Sequence, residues 1–126
     1  MNKEQALHSF WSSFNLPTYD ENSVPSEEER IKISGSAFPI ITYEVVTGDF
    51  DTELPMAASL WYRSDSWAAI TEKANEIERA ITRGGRMVSY EGGAFWLRKR
   101  NSMRMSEPTD DMIRRILMNL TVEFID

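Results

Sequence analysis

A chain of 126 residues that is 41% hydrophobic, 11% aromatic and 27% charged has the make-up of one ordinary globular domain, 1–126, and at that length roughly two-thirds of the unfolded surface can be buried. With no cysteine and a single histidine, His8, a disulfide framework, a structural zinc site and a histidine-based triad all lack their residues. A net charge of -6 argues against general nucleic-acid affinity, because phosphates call for a cationic field.

Residues 3–14 read as a helix: Leu7, Phe10, Trp11 and Phe14 recur at spacings of three and four, and Asn15 with Pro17 stops it. Residues 15–37 are a polar connection with an acidic run, too long to be idle in a small domain, so part of it is expected to be a short strand or an interaction arm. Ile31 and Ile33 fit a short edge strand there. Residues 39–47, rich in Ile, Val, Thr and Tyr, are expected to be a strand, and Gly48-Asp49-Phe50-Asp51 to turn the chain. From 54 to 63 the residues alternate, with Leu54, Met56, Ala58, Leu60 and Tyr62 on one face and Ala57, Ser59, Trp61 and Arg63 on the other. These two strands form an antiparallel pair.

Ser64-Asp65-Ser66 reads as an N-cap cluster before a helix with Trp67, Ile70, Ala74, Ile77 and Ile81 at helical spacing, ended by Gly84-Gly85. Segments 86–90 and 94–99 flank Glu91-Gly92-Gly93, a hairpin signal. Residues 100–111 read as a second polar loop. Thr109-Asp110-Asp111 is a fair helix cap, but Ile116, Met118, Leu120, Val122 and Phe124 then alternate with their neighbours, which favours a long C-terminal strand. The order helix-strand-strand-helix-hairpin-strand describes an α+β fold, a mostly antiparallel sheet with helices packed on one face.

No segment approaches the ~20 apolar residues of a membrane helix, and Met1-Asn2-Lys3-Glu4-Gln5 has an acid and no apolar run of a secretory signal. A reducing cytosol is the expected compartment. The charge is uneven: acids such as Glu27, Glu28, Glu29, Asp49 and Asp51 dominate the first half, and Arg79, Arg83, Arg98, Lys99, Arg100, Arg104, Arg114 and Arg115 crowd the second. Head-to-tail packing of identical subunits would use such polarity.

Among candidate sites, Asp49, Asp51 and Glu53 across a turn, and Asp110-Asp111, could serve as acid and base or hold a cation. They lack the spacing of a calcium loop and read as solvated turn acids. Neither glycine pair sits between a strand and a helix start, so nucleotide binding has no support, and no Gly-x-Ser-x-Gly elbow exists. His8, beside the Leu7 stripe, reads as a surface or boundary residue. Arg98, Lys99, Arg100 and Arg104 lie near Phe95 and Trp96, a mixture that can suit nucleic acid. Within a strand Arg98 and Lys99 face opposite ways, so a subunit or protein contact is the better reading. Met103 and Met105 read either as adaptable contact residues or as side chains folded back on the sheet edge. Trp61 and Trp67 read as core anchors. No catalytic residue, cofactor or metal is expected.

Four segments carry a family likeness: Phe38-Pro39-Ile40-Ile41-Thr42-Tyr43-Glu44-Val45, Ser59-Leu60-Trp61-Tyr62-Arg63-Ser64-Asp65-Ser66-Trp67, Gly92-Gly93-Ala94-Phe95-Trp96-Leu97 and Pro108-Thr109-Asp110-Asp111-Met112-Ile113-Arg114-Arg115. From about residue 16 onward the chain resembles the tail-terminator or tail-completion proteins, often labelled minor tail or minor capsid proteins, of phages with long non-contractile tails. The resemblance implies one sheet with helices on one side and a homo-oligomer, a hexameric ring seated on the tail-tube protein. That ring stops tube growth and presents a surface to a head-completion or connector protein. It implies a place at the head-proximal end of the virion tail, after assembly in the host cytoplasm, with genome DNA passing through the ring and neither sequence-specific nucleic acid nor membrane as partner. An acid-rich lumen would suit that passage. The expected contact residues are Asp49, Asp51, Arg98, Arg100, Met103, Arg104, Met105, Asp110, Asp111, Arg114 and Arg115. Alternatives are a head-tail connector or stopper, a monomeric acidic inhibitor or immunity-type module using Glu27-Glu28-Glu29, and a small hydrolase using Asp49, Asp51 or Asp110.

Overall fold

The computed structural model describes residues 1–44, 53–108 and 112–125. Its elements are α1 (Lys3–Ser12), β1 (Thr18–Asp20), α2 (Glu27–Ser34), β2 (Ile40–Tyr43), β3 (Glu53–Arg63), α3 (Ala68–Ala80), β4 (Arg86–Tyr90), β5 (Gly93–Pro108) and β6 (Ile113–Ile125). The six strands form one sheet in the order β1-β2-β3-β6-β5-β4. Every neighbouring pair is antiparallel except β1 with β2. The fold is α+β, as the sequence pattern implies.

Two helices build the core with the sheet. α1 starts in a capping box: Asn2 Oδ1 accepts from the Gln5 N–H (2.8 Å) and Gln5 Oε1 accepts from the Asn2 N–H (2.9 Å). It buries Ala6, Leu7, Phe10 and Trp11. α3 turns Ile70, Ala74 and Ile77 inward. They meet the alternate residues of the long strands, including Met56, Ala58 and Leu60 of β3, Phe95 and Leu97 of β5, and Ile116, Met118, Leu120, Val122 and Phe124 of β6. The period-two pattern of the C-terminal segment is thus half core.

Four details depart from the sequence expectations. The 15–37 connection holds the short strand expected somewhere within it, β1, but also a helix, α2, which the expected order omits. Ile31 and Ile33 lie on α2 and are exposed, not on an edge strand. Helix wins there because the Ser26 hydroxyl accepts from the Glu29 N–H (3.3 Å), three glutamates face the positive end of the helix dipole, and Gly35 closes the helix at φ 85. Second, the described part of the expected 100–111 loop is strand. β5 runs on to Pro108, with a register shift between Lys99 and Arg104 that lets it stay paired with β6 from Arg104 opposite Met118 to Pro108 opposite Arg114.

Third, the N-cap of α3 is Trp67 with no side-chain cap; Ser64 and Ser66 bond one another's neighbourhood in the approach, the Ser66 hydroxyl accepting from the Ala68 N–H (3.1 Å). Fourth, α3 stops at Ile81, before the glycine pair, and Gly85 (φ 95) serves the turn into β4. The expected turn at 48–51 and the end of the 39–47 strand lie outside the described residues.

Candidate contact surface on the outer face of the sheet

The alternation that buries one face of β3 and β6 sends Trp61 and Arg115 to the other, away from α1 and α3. Ile40, Trp61, Arg115 and Glu107 stand in register across β2, β3, β6 and β5. The Arg115 guanidinium lies 4.7 Å from the Trp61 ring centroid, donates from Nε to Ser59 Oγ (3.1 Å), and pairs with Glu107 Oε2 at 3.2 Å. Trp61 Nε1 donates to Thr42 Oγ1 at 2.9 Å, which fixes the indole plane.

A second cation reaches the same region from α2. Arg30, only 7% exposed, donates from Nε to the Ala37 carbonyl (3.0 Å) and from Nη1 to the Pro25 carbonyl (2.7 Å). It lies 5.2 Å from the Phe38 ring centroid, and Arg63 lies 4.8 Å from the same ring while pairing with Glu27 at 2.9 Å. Between these groups is an open cavity of about 320 Å³ walled by Phe38, Ile40, Thr42, Trp61, Arg30 and Arg115, with Glu21 at its margin. Burial, with the carboxylates of Glu44 and Asp20, raises the Glu21 carboxyl above its ordinary range, and Arg115 opposes that rise.

Chemically the cavity offers apolar and aromatic walls with positive rims. Its guanidiniums are already bonded within the chain, so it suits an apolar or aromatic anchor from another protein better than a free anion. Among the described residues no group of three or more His, Asp and Glu is arranged to hold a metal ion.

The expected contact residues do not form one site. Met105 and Arg115 share the outer face near Trp61, opposite Leu117 and beside it. Arg98 shares that face but lies opposite Thr121, six residues along β6 from Arg115 and so about 20 Å away. There it stacks on Trp96 (4.7 Å) and pairs with Glu53 (2.8 Å), with exposed Arg100 nearby. Arg104 turns to the helix side, donating to Asn75 (2.9 Å) and pairing with Glu78 (3.5 Å) of α3. Arg114 does likewise over the Trp67 ring at 5.3 Å. Met103 is a correction: at 8% exposure it belongs to the core and offers no contact surface. Asp49, Asp51, Asp110 and Asp111 lie outside the described residues. His8 is exposed, with Nδ1 3.0 Å from the Tyr43 hydroxyl.

Sequence reasoning missed Trp61, Arg30 and Glu107. Trp61 is a half-buried wall of the outer face and no core anchor. The signal was present, since alternation sets it with Ser59 and Arg63 against Leu60. Nothing in the acidic run marked Arg30 as a buried strut. No protein-family model and no curated protein matches this chain.

Proposed function

We propose that the chain is a structural phage morphogenesis protein, a ring-forming tail terminator that caps the tail tube, stops its polymerisation and presents the head-joining surface. One observation carries this reading. Three of the four segments with the family likeness, far apart in sequence, meet in space: Ile40 of the first is opposite Trp61 of the second, and Trp61 is opposite Arg115 of the fourth. A likeness that converges on one part of the outer face, where Trp61 and Arg115 are partly exposed over buried Ile40, points to a shared contact more than to shared packing alone. In this reading the Trp61 cavity seats an anchor side chain of the tube protein or of the head-side partner.

The test is capping of purified tail tubes, followed by electron microscopy and co-sedimentation, beside light scattering of the free chain. The reading expects oligomers, capped tubes of fixed length, and a Trp61→Ala variant that keeps its fold and self-association but binds tubes about 30-fold more weakly or worse, the loss of a hot-spot aromatic. A wild-type chain that stays monomeric and ignores tubes sinks the terminator reading. Capping by Trp61→Ala at wild-type strength removes this patch as the tube contact. Binding to a purified head connector, with no tube binding, would favour the connector alternative.

A further inference from the structure

The sheet ends differently on its two lateral sides. On one side β4 pairs only with Gly93 to Leu97 of β5, so the rest of β5, through Pro108, shows one row of backbone N–H and C=O groups that β4 does not cover. Such an edge is a template for another chain. Beside it runs a shallow groove between α3 and β5 in which Arg79, Arg83 and Lys99 outnumber the one acid, Glu78, and Glu78 is held by Arg104. Among the described residues Arg79, Arg83 and Lys99 are without ion pairs.

On the opposite side, about four strand spacings or roughly 19 Å away, stands β1, and α2 lies past the ends of β2 and β3, where Glu27 pairs with Arg63. Here Glu28 and Glu29 are exposed and unpaired among the described residues. Ile33, one turn from Glu29 on the same helix stripe, is 68% exposed, and Val24 is exposed in the approach. The α3–β5 side is therefore basic with an open strand edge, and α2 is acidic with bare apolar groups.

We propose that these two sides are complementary halves of one interface: the acidic α2 side of one copy seats against the basic α3–β5 side of the next. Ile33 packs on the aliphatic stems of Arg79 and Lys99 while Glu28 and Glu29 meet their charged ends. Because the two halves are different patches of one chain, the contact is heterologous, and repeated from copy to copy it builds a ring. The inference rests on the ring-forming reading above and names the surfaces that reading leaves open.

The test uses two exposed double variants of the full chain, Glu28→Arg with Glu29→Arg and Arg79→Glu with Arg83→Glu, checked for unchanged circular dichroism and studied by sedimentation velocity. Each alone is expected to self-associate at least about 10-fold more weakly than wild type. An equimolar mixture is expected to regain assembly, since each contact in an alternating ring is then again of opposite sign. Wild-type assembly should also weaken with added salt. If wild type assembles and both variants assemble equally well, this interface is wrong and the ring reading stands. If the variants fail and the mixture fails too, charge pairing between these two sides is wrong. A wild type that stays monomeric with and without tubes overturns both readings.

Discussion

The two faces of the same strands are stabilised by different physics. Phe95 and Trp96 are neighbours in β5, yet Phe95 is fully buried under the helices with its ring against Phe124 (6.0 Å) and Tyr90 (6.2 Å), whereas Trp96 is only part-buried, under the Arg98 guanidinium. Burial of a ring of that size is worth about 1.5–3 kcal/mol, while a cation over an exposed ring contributes about 0.5–1 kcal/mol. The helix side thus holds the fold, and the outer side can hold binding groups such as Trp61 and Arg115 with little consequence for stability.

The contrast breaks most sharply at Phe95. Phe95→Ala is expected to cost about 3–5 kcal/mol in urea unfolding, because the ring leaves a cavity between β5 and β6 that the helices fill only in part. Trp96→Ala, one residue on, should cost less, about 1–2 kcal/mol, because its ring is only part-buried. A comparable loss at both sites would mean that the outer face is as structural as the inner.

Gly85→Ala is expected to be intermediate, about 2–3 kcal/mol, and it sharpens the comparison because it acts through the outer face. Gly85 has φ 95, where a side chain is strained, and an added Cβ would overlap the Trp96 indole and lie 2.8 Å from both Arg98 Cγ and the Leu97 carbonyl. Combining it with Trp96→Ala should give less than the sum, since one of the three overlaps is removed. The Leu97 carbonyl is backbone and cannot move aside. Additive losses would show that the indole does not constrain this turn.

Much of this was legible beforehand, for physical reasons particular to each segment. Period two in 116–124 and in 54–63 is a one-body pattern, so both strands and their buried faces follow from the residues themselves. The same alternation already assigned Trp61 to the face opposite Leu60; only the habit of treating tryptophan as core obscured it. α2 was hidden because its stabilisation is local and electrostatic: a serine cap, three first-turn glutamates and a glycine stop, with Arg30 as the sole buried side chain. The 104–108 part of β5 was hidden because its strand character comes from its partner. Polar residues there are held by β6 and reach α3 through Arg104, and neither contact has a sequence signature. The cavity depends on three strands meeting, which no single window contains.

The smallest expected effect lies at the margin of that cavity. Glu21 carries a carboxyl raised from 4.5, first by burial, then by Glu44 and Asp20, with Arg115 pulling the other way. A raised acid favours its neutral form in the folded state, so ionisation works against folding. Well below pH 4.5 the group is protonated in both states and no penalty exists; as pH rises through the unfolded and then the higher folded value the penalty develops and persists to neutrality. Glu21→Gln should therefore match wild type in acid and melt slightly higher at pH 7, by a small margin because the side chain is largely solvated. Thermal melts across pH 3–8 would read this. A Gln variant that is instead less stable at neutral pH would show that attraction to Arg115 outweighs burial and that the rim of the cavity is tuned to keep a negative charge beside its arginines.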